Sequence, residues 1–203
     1  MRPDLDVVAR MVPPDSRVLD LGCGDGSLLQ HLARHRGCRV QGVEVSSEAF
    51  HECIARGVPV MHSDIDHGLP ELADGAFDVA VLSQTLQATY RPAFVLSELT
   101  RVGRQGIVSF PNFGHIGIRA KLALRGRMPT TRVLPEPWYE TENIHLCTIT
   151  DFERLCETRG IRLLERKLLD SRGRPQPRRG ERAPNLLAAA AVYRVDAPAR
   201  TGA

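Results

Sequence analysis

Three carboxylates, Asp20, Glu44 and Asp64, each close a short apolar run, and the first is followed by glycines at every second position. Val18-Leu19-Asp20-Leu21 leads without a gap into Gly22-Cys23-Gly24-Asp25-Gly26, and Ser27 opens an amphipathic stretch. This order predicts a strand, a glycine turn and a helix. Glycine lets the backbone turn sharply and approach a ligand closely, because no Cβ strains the turn or takes the ligand's place. The dinucleotide fingerprint G-x-G-x-x-G has its third glycine one residue later and seats a pyrophosphate on the helix start; here residue 27 is Ser. Asp20 stands where its charge repels a phosphate and attracts a cation. Glu44 ends Val40-Gln41-Gly42-Val43-Glu44, about 20 residues past the glycines, where a carboxylate can accept ribose hydroxyls. Asp64 ends a third run, Val60-Met61-His62-Ser63-Asp64-Ile65.

A nucleoside ligand that carries positive charge and no phosphate is therefore indicated, and S-adenosylmethionine (SAM), with an ammonium and a sulfonium, meets that description. The pattern acid-x-Gly-x-Gly-x-Gly over Asp20 to Gly26 is similar to the first motif of the class I methyltransferases. The resemblance implies a Rossmann-like α/β fold with a seven-stranded, mostly parallel sheet whose last strand is antiparallel. It also implies SAM held by Asp20, Gly22, Cys23, Gly24 and Gly26, by Glu44 on the ribose with Val45 beside it, by Asp64 and Ile65 on the adenine, and by Ser83 at a fourth strand end. Cys23 is read as a small polarisable filler beside the ligand rather than a nucleophile.

These groups need a scaffold that brings strand ends together. Leu5, Val7, Val8 and Met11 fall on one helical face ended by Pro13-Pro14-Asp15. After the glycine turn, Leu28, Leu29, Leu32 and Ala33 make a core-facing stripe, with Gly37 placed for a left-handed C-cap. Ser46 or Ser47 can cap the next helix, with Ala49, Phe50, Cys53 and Ile54 inward and Gly57 closing it. Phe77 to Ser83 reads as a buried fourth strand. Pro92 can start a helix carrying Val95, Leu96, Leu99 and Val102 until Gly103 stops it. Gly106 to Phe110 is a fifth strand, and strand–helix alternation with right-handed crossovers gives a parallel sheet. Residues 116 to 125 are moderately helical. Residues 126 to 147 form a long segment with Trp138 beside Tyr139, read as a lid or partner surface because such loops are usually functional. Thr150 can cap a helix carrying Phe152, Leu155 and Cys156. Ile161 to Leu169 and Leu186 to Val195 are the last two strands, a hairpin around an arginine-rich loop.

At 203 residues the chain suits one domain, residues 1–195, followed by a disordered tail from Asp196 to Ala203. The longest apolar run, Leu186 to Val192, is too short to span a bilayer, and the first residues lack signal-peptide character, so a cytoplasmic, membrane-free protein is expected. Five cysteines without a C-x-x-C pair indicate neither a zinc cluster nor a disulfide framework, and no metal site is assigned. A net charge of +3 does not mark a nucleic-acid binder. The arginines of 172–182 lie among glycines and prolines without interleaved aromatics, which favours a solvated loop over an RNA contact.

By the rule that open α/β sheets bind ligands beyond their strands' carboxyl ends, Ser83, Gln84 and Thr85 fall at the edge of the methyl-transfer site. Gln84, Thr85 and Gln87 are neutral, and no Asn/Asp-Pro-Pro-aromatic sequence follows the fourth strand. His115 and His145 are the plausible bases, and no residue is assigned as catalytic. Four further strings, Ser83 to Ala88, Ser109 to His115, Arg125 to Pro129 and Trp138 to Ile149, resemble the MetW family of methionine-biosynthesis proteins over about residues 5 to 170. The resemblance implies a methyltransferase fold without a firmly assigned acceptor, working beside a MetX-type homoserine O-acyltransferase. Gln84, Asn112, His115, Trp138, Tyr139, Asn143 and His145 are its substrate or lid candidates. A catalytically active small-molecule methyltransferase is the alternative, and an RNA-binding methyltransferase using the arginine loop a third reading.

Overall fold

A computed structural model describes residues 2–132, 134–176 and 182–196 of the chain. Its sheet has seven strands in the order β3-β2-β1-β4-β5-β7-β6. These are β1 (Arg17–Leu21), β2 (Arg39–Glu44), β3 (Val60–His62), β4 (Phe77–Ser83), β5 (Gly103–Pro111), β6 (Arg162–Leu169) and β7 (Ala190–Asp196). β1 through β5 pair in parallel, whereas β7 runs antiparallel to both β5 and β6. This is the mostly parallel sheet with an antiparallel last strand that the methyltransferase resemblance implied.

The parallel half is built from crossovers whose helices begin and end on sequence signals. α1 (Pro3–Met11) precedes β1, and α2 (Ser27–Arg36) follows the glycine turn and closes on Gly37 at φ 66°. α3 (Ser47–Ala55) is capped by Ser46, whose side chain accepts from the Ala49 N–H. α4 (Pro92–Val102) starts on its proline and stops at Gly103, where a Cβ would stand 2.6 Å from the Ala80 Cβ. That close approach lets β5 begin directly at Gly103, earlier than the predicted Gly106. α5 (Ile116–Arg125) matches the predicted helix, followed by α6 (Ile149–Thr158) and a short α7 (Pro184–Leu187).

Both faces of the sheet are covered. Leu19, Leu21, Leu82, Leu96 and Leu99 pack with Phe110, Phe152 and Tyr193 on one side. Val8, Val18, Leu28, Leu29, Leu32 and Val81 pack on the other. Continuous apolar strands are what two-sided burial requires. Among the described residues no helix is long and apolar enough to cross a membrane.

Several local expectations are corrected. Ala33 and Ile54 face solvent, Ile54 being 55% exposed, because each lies one step past the narrow inward stripe set by Leu29 and Leu32 or by Cys53. Thr148, not Thr150, caps α6 by accepting from the Asp151 N–H, since the buried Ile149 already belongs to the first turn. Leu186 and Leu187 lie in α7 behind Pro184, so β7 begins at Ala190. Asp196, predicted to open the tail, ends β7 opposite Arg162 and Gln105, while residues 197–203 lie outside the described residues. The arginine-rich stretch starts as a turn in which the Asp170 carboxylate accepts from the Arg172 and Arg174 N–H groups, and residues 177–181 are likewise outside the described part.

Candidate functional site

Parallel pairing places Leu21 beside Val43 and Asp20 beside Val81, so the carboxyl ends of β1, β2 and β4 open on one edge. A cleft of about 740 Å³ lies over that edge, within the roughly 300–1,000 Å³ usual for small-ligand sites. Gly22, Gly24, Glu44, Val45, Asp64, Ile65, Ser83 and Gln84 all line it. The glycine turn is left-handed at Gly22 (φ 72°), Gly24 (φ 53°) and Gly26 (φ 73°), a conformation that L side chains adopt only at a cost. A Cβ on Gly22 would come within 2.5 Å of Thr85, whereas one on Gly24 would meet nothing within 4 Å. The turn is thus packed from behind and bare toward the cleft.

Glu44 is the brace of this turn. One of its oxygens, Oε2, accepts the Gly24 N–H at 2.8 Å, and Oε1 accepts the Val45 and Ser46 N–H groups at 2.9 Å. Three of roughly four lone-pair positions are occupied, which leaves room on Oε2 for a ligand hydroxyl. Asp64 starts a 3-10 turn, with Oδ1 accepting the Asp66 N–H at 2.8 Å and Oδ2 3.1 Å from the His67 ring. Buried Asp66, which sequence reading missed, holds the opposite rim by accepting the Tyr90 and Arg91 N–H groups at 2.8 Å.

Asp20 lies beneath the turn instead of in the cleft wall. It is 2% exposed, and its Oδ1 has no hydrogen-bond partner among the described residues. Burial, and after it the Glu44 charge, push its carboxyl up to about 8, with Arg2 at the cleft mouth opposing. The folded protein therefore holds a proton that the unfolded chain, with Asp at 3.8, has already released. Stability from this proton is complete below pH 3.8 and is lost as pH rises through about 8. Asp20→Asn should flatten that slope, by a few kcal/mol between about pH 5 and 8, as read by urea denaturation of both proteins.

Cys23 fills the space above Gly42, where a Cβ would stand 2.5 Å from its Sγ. Its Sγ is 3.6 Å from the Cys53 Sγ, which itself lies 3.1 Å from the Gly24 carbonyl oxygen. Burial raises both thiols above their usual range, which disfavours a nucleophilic thiolate.

The substrate or lid candidates separate into different places. Gln84 stands at the end of β4 with φ 57° and donates its side-chain amide to Asp4 at 2.6 Å. Asn112 is fully buried: it donates to the Asn185 and Ala188 carbonyls at 3.0 and 2.7 Å and accepts from Gly114 and Ile149. It is a latch between β5, α6 and α7 with no free hydrogen-bonding position toward a ligand. His115 caps α5 through Nδ1, which accepts the Gly117 N–H at 3.0 Å, and burial lowers its pKa. Neither Asn112, His115 nor His145 lines the cleft; the His145 N–H donates to the Gln87 carbonyl at 2.9 Å. Gln87 is 3% exposed, borders the cleft and leaves its Oε1 unpartnered among the described residues. A second hollow of about 350 Å³, bordered by Trp138, Asn143 and Ile144, adjoins the cleft through Asn143 and Ile144. Tyr139 meets Trp138 edge-on at 5.7 Å outside it. Among the described residues no group of His, Cys, Asp and Glu side chains could hold a metal ion.

Comparison with known proteins agrees with this geometry. The family described as "Methionine biosynthesis protein MetW" matches residues 2–195. The chain is 38% identical over 161 residues to the "Bifunctional methionine biosynthesis protein MetXA/MetW" of Rhodopirellula baltica (strain DSM 10527 / NCIMB 13988 / SH1), covering 75% of this chain and 26% of that relative. It thus spans about a quarter of the relative's length. Among solved structures, a SAM-dependent methyltransferase of Thermotoga maritima, described as a possible histamine N-methyltransferase, superposes with TM-score 0.65 at 20% identity over 96% of this chain and 87% of that one. The [4+2]-cyclase SpnF superposes with TM-score 0.67 at 19% identity over 96% and 80%. The fold is that of the class I methyltransferases.

Proposed function

The chain belongs to the MetW family of methionine biosynthesis proteins, and from that premise we propose that it is a SAM-binding partner of a MetX-type homoserine O-acyltransferase, supporting or regulating acylation of homoserine. The observation that carries this reading is the unequal furnishing of the cleft. Its cofactor side has a bare glycine turn, a braced carboxylate and, beneath the turn, the unpartnered Asp20 Oδ1, whereas His115 is occupied as a helix cap and Asn112 as a latch, both outside the cleft. The bifunctional relative, whose name joins MetXA with MetW, supports the companion role.

In this reading Gly22, Cys23, Gly24 and Gly26 form the bed for SAM. Glu44 with Val45 takes the ribose, Asp64 and Ile65 the adenine, and Ser83 the methionine end, with Asp20 acting through its charge from beneath the turn. Bound SAM supplies an electrophilic methyl group on a sulfonium. A cation above Asp20 favours its ionised form, so binding near neutral pH is accompanied by proton release, and SAM affinity should rise from about pH 6 to 8. Calorimetry across that range checks this, and Asp20→Asn should lose the dependence.

A second reading, an active small-molecule methyltransferase, is favoured by the hollow that adjoins the cleft. One assay separates the two. Purified acyltransferase is measured with and without this protein, adding SAM, while S-adenosylhomocysteine is followed in the same tube. Dependence of acyl transfer on this protein without S-adenosylhomocysteine supports the partner reading. Its stoichiometric appearance together with a methylated acceptor supports the other.

A further inference from the structure

The segment between α5 and α6 has two sides that do different things. Its inner residues, Glu136, Glu142, Asn143 and Ile144, wall the cleft, and its end is tied to the cleft floor by the His145 N–H on the Gln87 carbonyl. Its outer side presents apolar groups to solvent: Trp138 is 71% exposed and Tyr139 67%, with exposed Met128 and Leu146, and Leu124 at the end of α5 just before it is 86% exposed. Met128, Trp138, Ile144 and Leu146 ring one hollow. The Lys121 ammonium donates to the Thr130 carbonyl at 3.1 Å, which holds α5 against the same segment. Only Ile118 of α5 is buried, so core packing does not explain the rest of its apolar content. Grouped exposed aromatic and aliphatic side chains are the composition of an interface centre.

We propose that this face is where the acyltransferase docks; the inference rests on the partner reading above. Two observations choose the occupant. In the bifunctional relative, one chain carries both names, and a shared chain keeps two modules within reach of each other. The stretch from Ile116 to Pro135 is also one-signed, with Arg119, Lys121, Arg125, Arg127 and Arg132 and no acidic residue, whereas Glu136, Glu140 and Glu142 flank Trp138. A partner presenting an apolar patch with an acidic rim complements it. Because the same segment forms the cleft wall, a ligand bound there biases the docking face, and docking biases ligand affinity by the same factor.

The test uses the full chain and purified acyltransferase, with the dissociation constant measured for the parent, Trp138→Ala, Leu124→Glu and Ile54→Ser. Ile54→Ser removes an exposed apolar group on α3 that borders neither the cleft nor the hollow. Trp138→Ala and Leu124→Glu should each weaken association about tenfold or more, with circular dichroism and melting temperature unchanged, and Leu124→Glu, at a residue that borders neither the cleft nor the hollow, should keep the SAM affinity of the isolated chain within about threefold of the parent. Ile54→Ser should bind as the parent does, and added salt should weaken the parent complex. If the parent associates and the two face variants associate equally well, the partner reading stands and this docking face is overturned. If the parent fails to associate at all, the partner reading fails and the inference falls with it. A homodimer of the parent that Trp138→Ala dissociates, seen by light scattering, would assign the face to self-association and also overturn the proposal.

Discussion

Glu44→Ala should raise the dissociation constant for SAM by about a hundredfold or more while leaving a folded protein. The substitution removes the acceptor of the Gly24, Val45 and Ser46 N–H groups together. The full cost of an unpaired buried donor, about 1–3 kcal/mol, is lessened here because Val45 and Ser46 are exposed and Gly24 half-buried, but the glycine turn loses the contact that ties it to β2. Binding suffers twice, through the lost hydroxyl acceptor and through a bed that is no longer pre-formed. Glu44→Gln should fall between, because one oxygen remains while the other position becomes a donor facing donors. Calorimetry with SAM, and circular dichroism to verify folding, read both variants. Parent-like affinity in Glu44→Ala would remove the carboxylate from the site.

The second large effect is on stability. Phe152 of α6 is 1% exposed and contacts Phe110 and Tyr193, with ring centroids 4.7 and 4.9 Å away. This cluster fastens α6 to the antiparallel half of the sheet, and the Tyr193 hydroxyl donates to Glu153 on the same helix at 2.7 Å. Phe152→Ala should lower unfolding free energy by about 3–5 kcal/mol, seen in urea as a lower midpoint with an unchanged slope. A loss below about 1 kcal/mol would show that the cluster collapses around the cavity.

Much of the fold could be read from the chain because its signals are local. β4 and α4 fall on their predicted boundaries, Phe77–Ser83 and Pro92–Val102, because an apolar run and a proline–glycine pair mark them. The strand-end acids led to the cleft for the same reason. What could not be read depends on which partner each side chain takes in the folded chain, distant or near. Asn112 looks like a free polar residue after β5, yet its side-chain partners include Asn185 and Ala188, more than 70 residues away. His115 looks like a base, but a contact two residues ahead makes it a cap. Asp20 carries the right charge at the right spacing, and only the packed turn reveals that it is buried and protonated near neutral pH. Gln87 carried no sequence signal beyond its position after β4.

SAM binding to the isolated chain near pH 7 tests the central claim most directly. Saturable binding of one SAM per chain, competed by S-adenosylhomocysteine and lost in Glu44→Ala, is the predicted result. A folded parent chain that takes up no SAM would contradict the account.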